Sequence, residues 1–98
     1  MMKKQHQYSI SIDHTQNADG SVPNDETFTF DFSSHDELFE IIEKLKSRED
    51  VGPEKAAPLA LGIKLFGSVM LANKRDGLFV DLCPHFATFM KKLKQKKA

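Results

Sequence analysis

From Leu59 to Ala72 the only charged residue is Lys64, and no other feature of the chain limits its fold as tightly. Leu59, Ile63, Phe66 and Met70 recur at helical spacing and form one stripe, while Leu61, Leu65, Val69 and Ala72 occupy much of the remaining circumference. A helix that is apolar nearly all round has to be covered on several sides, so this segment is expected to be the buried central helix. A chain of 98 residues has material for one core, and residues 1–98 are read as a single domain. The run is fourteen residues long and Pro58, Gly62, Lys64 and Gly67 lie in or beside it. It is short of the ~18–20 apolar residues a bilayer-crossing helix needs, so no membrane span is expected.

Upstream the periodicity changes from helical to alternating. Tyr8, Ile10 and Ile12 alternate with Ser9, Ser11 and Asp13, and Phe28, Phe30 and Phe32 alternate with Thr27, Thr29 and Asp31, the period of two of a half-buried strand. The turn signal Asn17-Ala18-Asp19-Gly20, followed by Pro23, separates the two runs and predicts an antiparallel hairpin with a long loop. Ser34-His35-Asp36-Glu37 reads as a capping box. It opens a helix whose stripe is Leu38, Ile41, Ile42 and Leu45, with Phe39 beside it, and this helix is expected to lie on the aromatic face of the hairpin. Gly52-Pro53 then stops one helix and starts the next. The second helix runs to about Lys74, is kinked by Pro58 or properly begins near it, and is closed by Asp76-Gly77. Leu78, Phe79 and Leu82 continue the core. Pro84 opens a third helix carrying Phe86, Phe89, Met90 and Leu93. The expected fold class is therefore α+β, an N-terminal antiparallel β-hairpin followed by three α-helices with the second buried. Order is expected over about residues 6–93, and the Lys-rich end is read as frayed.

Charge and cysteine content narrow the function classes. Fourteen Lys and Arg balance fourteen Asp and Glu, so no whole-molecule field steers the chain to nucleic acid or membrane. Residues 1–50 hold five basic and eleven acidic side chains, a net −6, and residues 51–98 hold nine and three, a net +6; the halves attract, within or between chains. Cys83 is the single cysteine and can form no internal disulfide, which suits a reducing compartment. Gln7, Ser9, Ser11 and Asp13 interrupt the apolar stretch a signal peptide would need, and the expected compartment is the cytoplasm.

Several segments invite a chemical reading that their spacing does not sustain. Residues 15–26 set Asn17, Asp19, Gly20, Val22 and Glu26 at positions of a calcium loop, but Thr15 stands where a carboxylate belongs and the flanks read as strands; a polar hairpin loop is expected. His6, His14, His35 and His85 show no ligand spacing, His6 and His14 being roughly 26 Å apart along a strand at about 3.3 Å per residue. Cys83-Pro84-His85 sets a thiol at a helix cap beside an imidazole, yet adjacency in sequence supplies neither reach nor an orienting third group. Cys83 is read as a small buried hydrophobe. Lys64 is read as a stem over apolar surface with its amine in water or near an acidic residue. Lys91, Lys92, Lys94, Lys96 and Lys97 lack arginine and aromatic interleaving, so they are read first as a solubilising helix end and only second as a phosphate contact. No catalytic, cofactor-binding or metal-binding residue is assigned.

The segments Leu65-Phe66-Gly67-Ser68-Val69-Met70-Leu71 and Pro84-His85-Phe86-Ala87-Thr88-Phe89-Met90, with the strand Tyr8-Ser9-Ile10-Ser11-Ile12, resemble a family of small bacterial proteins, the domain of unknown function DUF3861. The resemblance covers Tyr8 to about Leu93. It implies a bacterial cytosolic setting and brings no activity, cofactor or site residue with it.

The leading expectation is a non-enzymatic interaction or regulatory module acting as a homodimer, with Leu61, Leu65, Val69 and Ala72 as interface and an unknown protein as further partner. A lone two-stranded sheet is marginal, so two copies either pair their hairpins into four strands or bury their central helices together. The alternative is a small-molecule-binding protein or small enzyme, its pocket between hairpin and helices lined by Phe28, Phe30, Phe66 and Met70 with Cys83 and His85 at the rim. Weak nucleic-acid binding through the C-terminal lysines is a further alternative.

Overall fold

The strand signals are the most local, and both alternating runs are met, each strand reaching two residues beyond its run. In the computed structural model, which describes residues 4–24, 26–73, 75 and 77–95, strands β1 (His6–Asp13) and β2 (Thr27–Ser34) form a two-stranded antiparallel sheet. The register sets Tyr8 against Phe32, Ile10 against Phe30 and Ile12 against Phe28, so the aliphatic row and the aromatic row share one face. The Tyr8 and Phe32 rings stack at 6.3 Å between centroids and Phe28 lies 5.9 Å from Phe30. The other face carries polar cross-strand pairs. Ser11 and Thr29 share a hydroxyl hydrogen bond of 3.0 Å, Thr27 donates to Asp13 at 2.7 Å and Ser33 donates to Gln7 at 2.7 Å, the direct-pair contacts that stabilise a sheet.

The loop between the strands closes on itself. The Ser21 amide and hydroxyl both donate to Asp19 Oδ1, at 2.9 and 2.6 Å, and the Asn17 amide donates to the Ser21 carbonyl at 2.9 Å. These are turn bonds of the kind that Asp and Asn make with nearby backbone.

Ser34 is a correction. Instead of capping a helix it ends β2 paired with His6, and its buried hydroxyl accepts the Asp36 amide at 3.1 Å. The Glu37 carboxylate accepts the Tyr8 hydroxyl at 3.3 Å. The strand outcompetes the cap because the extended chain keeps its ladder partner there, and the helix begins only at Leu38.

The chain divides into two compact units, Met1–Glu37 and Leu38–Ala98. The second is helical: α1 (Leu38–Lys46), α2 (Pro53–Ala72), α3 (Gly77–Val80) and α4 (Cys83–Lys94). Four helices replace the expected three because residues 77–80 make one short turn where only continued core was read. Between α1 and α2 the chain turns through Gly52, whose φ of 85° and ψ of 164° are open essentially to glycine alone. Pro53 follows at the first helical position, as expected. Pro58 neither delays nor divides α2. It is the sixth helical residue, and its missing N–H deprives only the Glu54 carbonyl, in an exposed first turn where water can serve.

The C-terminus of α2 falls at Ala72, close to the expected end near Lys74. Asn73 caps it, the backbone N–H donating to the Met70 carbonyl at 3.1 Å and the side-chain amide to the Val69 carbonyl at 2.9 Å. Lys74 and Asp76 of the expected helix end lie outside the described residues, as do Lys96 and Lys97 of the tail. Leu82 stands at the cap of α4 and Cys83 is its first residue, one place further in than expected, with Pro84 in the first turn.

The core of this unit is small and α2 supplies most of it. Ala56 and Ala60 are fully buried, Met70 is 2% exposed, and Leu38 and Leu45 of α1 are nearly as well covered. Residues 56, 60, 63, 67 and 70 recur every three or four positions and share one face of α2. The expected core stripe of Leu59, Ile63, Phe66 and Met70 is thus rotated toward the small residues, Leu59 and Ile63 being half-buried and Phe66 partly exposed. Small side chains let helices approach closely. An added Cβ at Gly67 would stand 3.3 Å from Cζ of Phe86, so the α4 ring lies nearly against the α2 backbone.

Candidate interaction surface

Once Ala56, Ala60, Gly67 and Met70 are turned inward, the rest of α2 has to face elsewhere. Leu61, Leu65, Val69 and Ala72 follow spacings of four, four and three and line a stripe opposite the buried one. Leu61 and Leu65 are half-buried, Ala72 is exposed, and Val69 is 52% exposed. Leu71, off that stripe and nearer the buried row, is 63% exposed. The expectation of a helix buried all round is therefore met on one side only. Leu78, read as core, is largely exposed, Leu82 is 40% exposed, and Phe79 is half-buried. It lies 6.2 Å from Phe66, which also lies 5.8 Å from Phe86. Phe66 thus ties α2 to α3 through an edge-on ring pair and to α4 through a tilted one.

By length and composition alone α2 is long and apolar enough to cross a membrane. The structure extends the helix beyond the apolar run by the turn and a half that holds Glu54 and Lys55.

The residues proposed to line a pocket divide between the two units. Phe28 and Phe30 belong to the hairpin; Phe66 and Met70 lie on α2, and Cys83 and His85 in the first turn of α4. Met70 is buried, Cys83 is half-buried and His85 is exposed. On the hairpin itself a shallow open depression is lined by Ile12, His14, Glu26, Thr27 and Phe28, with Ile12 and Phe28 more than half exposed.

The titratable residues are placed as follows. His6 opens β1 and His14 follows its end, so a whole strand separates them. His35 approaches Gln5 at 3.2 Å. Among the described residues no three His, Cys, Asp or Glu side chains converge. Asp19 has its carboxyl held below the usual value of 3.8 by the Ser21 hydroxyl and then by the Ser21 amide. Lys64 is half-buried and Lys91, Lys92 and Lys94 are exposed along the end of α4.

Arg48 is the residue that sequence reasoning missed. Its Nε and Nη2 donate to both carboxylate oxygens of Asp50, at 2.8 and 2.7 Å, and its Nη1 donates to the carbonyls of Leu93 and Gln95 at 2.9 and 3.0 Å. The planar guanidinium serves an acid and a helix terminus together, and the bond to Asp50 raises its already high pKa. The Asp50 partner two residues away was a visible signal; the carbonyls of α4 were not.

A family model described as a Domain of Unknown Function with solved-structure structure (DUF3861) matches residues 6–95. The curated proteins gave no match. Among solved structures, the chain is similar to the crystal structure of a protein of unknown function from Pectobacterium atrosepticum SCRI1043. That chain is 31% identical with a TM-score of 0.81, and the likeness covers 95% of this chain and 100% of the other.

Proposed function

Because the chain belongs to the DUF3861 family, whose members bring no established chemistry to it, we propose from its own surface that it is a non-enzymatic protein-interaction module, present as a homodimer in the bacterial cytosol. The observation that carries this reading is the second apolar face of α2. A helix whose opposite side already supplies the core still presents Leu61, Leu65, Val69 and Ala72, with Val69 52% exposed and Ala72 exposed. Contiguous apolar surface of this kind is lowered in free energy by contact with another protein. The homodimer is supported by the sheet, since two strands alone are marginal in water.

The test uses the folded protein and a variant in the stripe. An apolar fluorescent dye should bind the native protein, light scattering should give a dimer, and Leu65→Ser with Val69→Ser should remove most of the dye binding while leaving the far-ultraviolet dichroism unchanged. Absence of dye binding to the folded protein contradicts the interaction surface. A monomer at every concentration contradicts the homodimer.

A further inference from the structure

Among the described residues β1 and β2 form a two-stranded sheet, so each strand has an outer row of backbone N–H and C=O groups that this ladder does not use. Such edges are templates for another strand, and proteins ordinarily blunt them with charge, proline, a bulge or brevity. The two edges here differ. β2 carries Asp31 at its centre. β1 is eight residues long, runs in continuous register with no skipped residue, and has neither charge nor proline from Gln7 to Ile12.

We propose that two copies of the chain join along β1, antiparallel about a dyad normal to the sheet at Ile10, giving a four-stranded sheet in the order β2-β1-β1-β2. This rests on the homodimer reading and states where the copies meet. Self-pairing of β1 is complementary on both faces. A dyad normal to the sheet keeps the two Tyr8, Ile10 and Ile12 rows on one side, with Ile10 facing its symmetry mate. Ile12, 57% exposed in the single chain, comes to lie beside Tyr8 of the partner subunit. On the polar side Ser9 meets Ser11 of the partner subunit, and Asp13 meets Gln7 of the partner subunit, an amide that can donate to it. The two Asp13 carboxylates stay six residues apart along the strands, roughly 20 Å.

Pairing along β2 about the middle of the strand has no such solution. A dyad at Phe30 or Asp31 sets the Asp31 carboxylates diagonal or directly opposite, within about 5–8 Å of each other, where like charges destabilise a sheet. The charge pattern therefore selects β1 as the edge and a second copy of the same strand as its occupant.

The proposal is tested by charging each edge in turn. Ser9→Lys with Ser11→Lys places lysines opposite one another across the dyad, while Lys at position 9 still faces Asp31 within its own hairpin. It should weaken dimerisation about tenfold in sedimentation, with the dichroism of a folded protein. Thr29→Lys with Ser33→Lys charges the other strand and should leave the dimer unchanged. In a Cys83→Ser background, mild oxidation of a mixture of Ser9→Cys and Ser11→Cys should give disulfide-linked pairs of the two different variants. A dimer that persists equally in both lysine variants, or cross-linking that ignores the pairing, overturns the β1 contact and leaves the homodimer standing. A wild-type monomer overturns both.

Discussion

Gly52 joins α1 to α2 in a backbone conformation with φ 85° and ψ 164°, and a Cβ placed there would touch nothing within 4 Å. The whole effect of Gly52→Ala is thus backbone strain, and it should destabilise the fold by about 1–3 kcal/mol in denaturant unfolding. Asp19 gives a second residue-level outcome. Its lowered carboxyl pKa comes first from the Ser21 hydroxyl, so Ser21→Ala should bring the value up toward 3.8 in an NMR titration. A carboxyl depressed in the folded state adds stability above its unfolded pKa and loses it as pH falls through the folded value. The turn should therefore loosen only at and below about pH 3.8. Both sites were legible in sequence, as a Gly-Pro stop-start and as an Asn-Ala-Asp-Gly turn, because glycine and aspartate act there through their immediate neighbours.

Among elements, α2 shows how two glycines of one helix part company. Gly62 has open space around it, whereas a Cβ at Gly67 meets Phe86 at 3.3 Å. Gly62→Ala should stabilise the protein by about 0.5–1 kcal/mol through helix propensity. Gly67→Ala should gain distinctly less, and Gly67→Leu should lose about 1–3 kcal/mol by displacing the ring; thermal unfolding of the three variants reads the order. Arg48→Ala should free the Leu93 and Gln95 carbonyls and speed amide exchange in the last turn of α4. Arg48→Lys should not restore it, since one ammonium cannot reproduce a planar fork bonded to Asp50 and two carbonyls. Element by element, α2 and α4 were legible from Gly-Pro and Pro signals. The start of α1 was not, because Ser34 has a strand partner, His6, that its own tetrapeptide does not reveal.

At the level of the molecule, the candidate surface was half legible. Opposing stripes on a helix apolar all round were visible in the spacing of residues, but nothing in that spacing says which stripe a chain buries. The structure turns Ala56, Ala60, Gly67 and Met70 inward because small residues permit the closest approach between helices. Bulkier Leu61, Leu65 and Val69 are then left to the opposite side. A stability comparison follows from this packing: Ala60→Leu, at a position fully buried, should destabilise by about 1–3 kcal/mol by overfilling the helix contact. Leu65→Ser, on the other stripe, should change stability by less while altering what the surface binds; urea unfolding of both variants checks the contrast.

Alternation, turn chemistry and the glycine and proline punctuation depend on residues a few places apart. The hairpin, its apolar face, and the existence of α1, α2 and α4 were accordingly determined by the amino-acid sequence without further information. Which face of α2 is covered, where α1 begins, and where the guanidinium of Arg48 finds carbonyls 45 and 47 residues away were decided only by tertiary structure. Those outcomes are set by competition among distant surfaces for the same space and the same hydrogen bonds, and no local pattern contains its result.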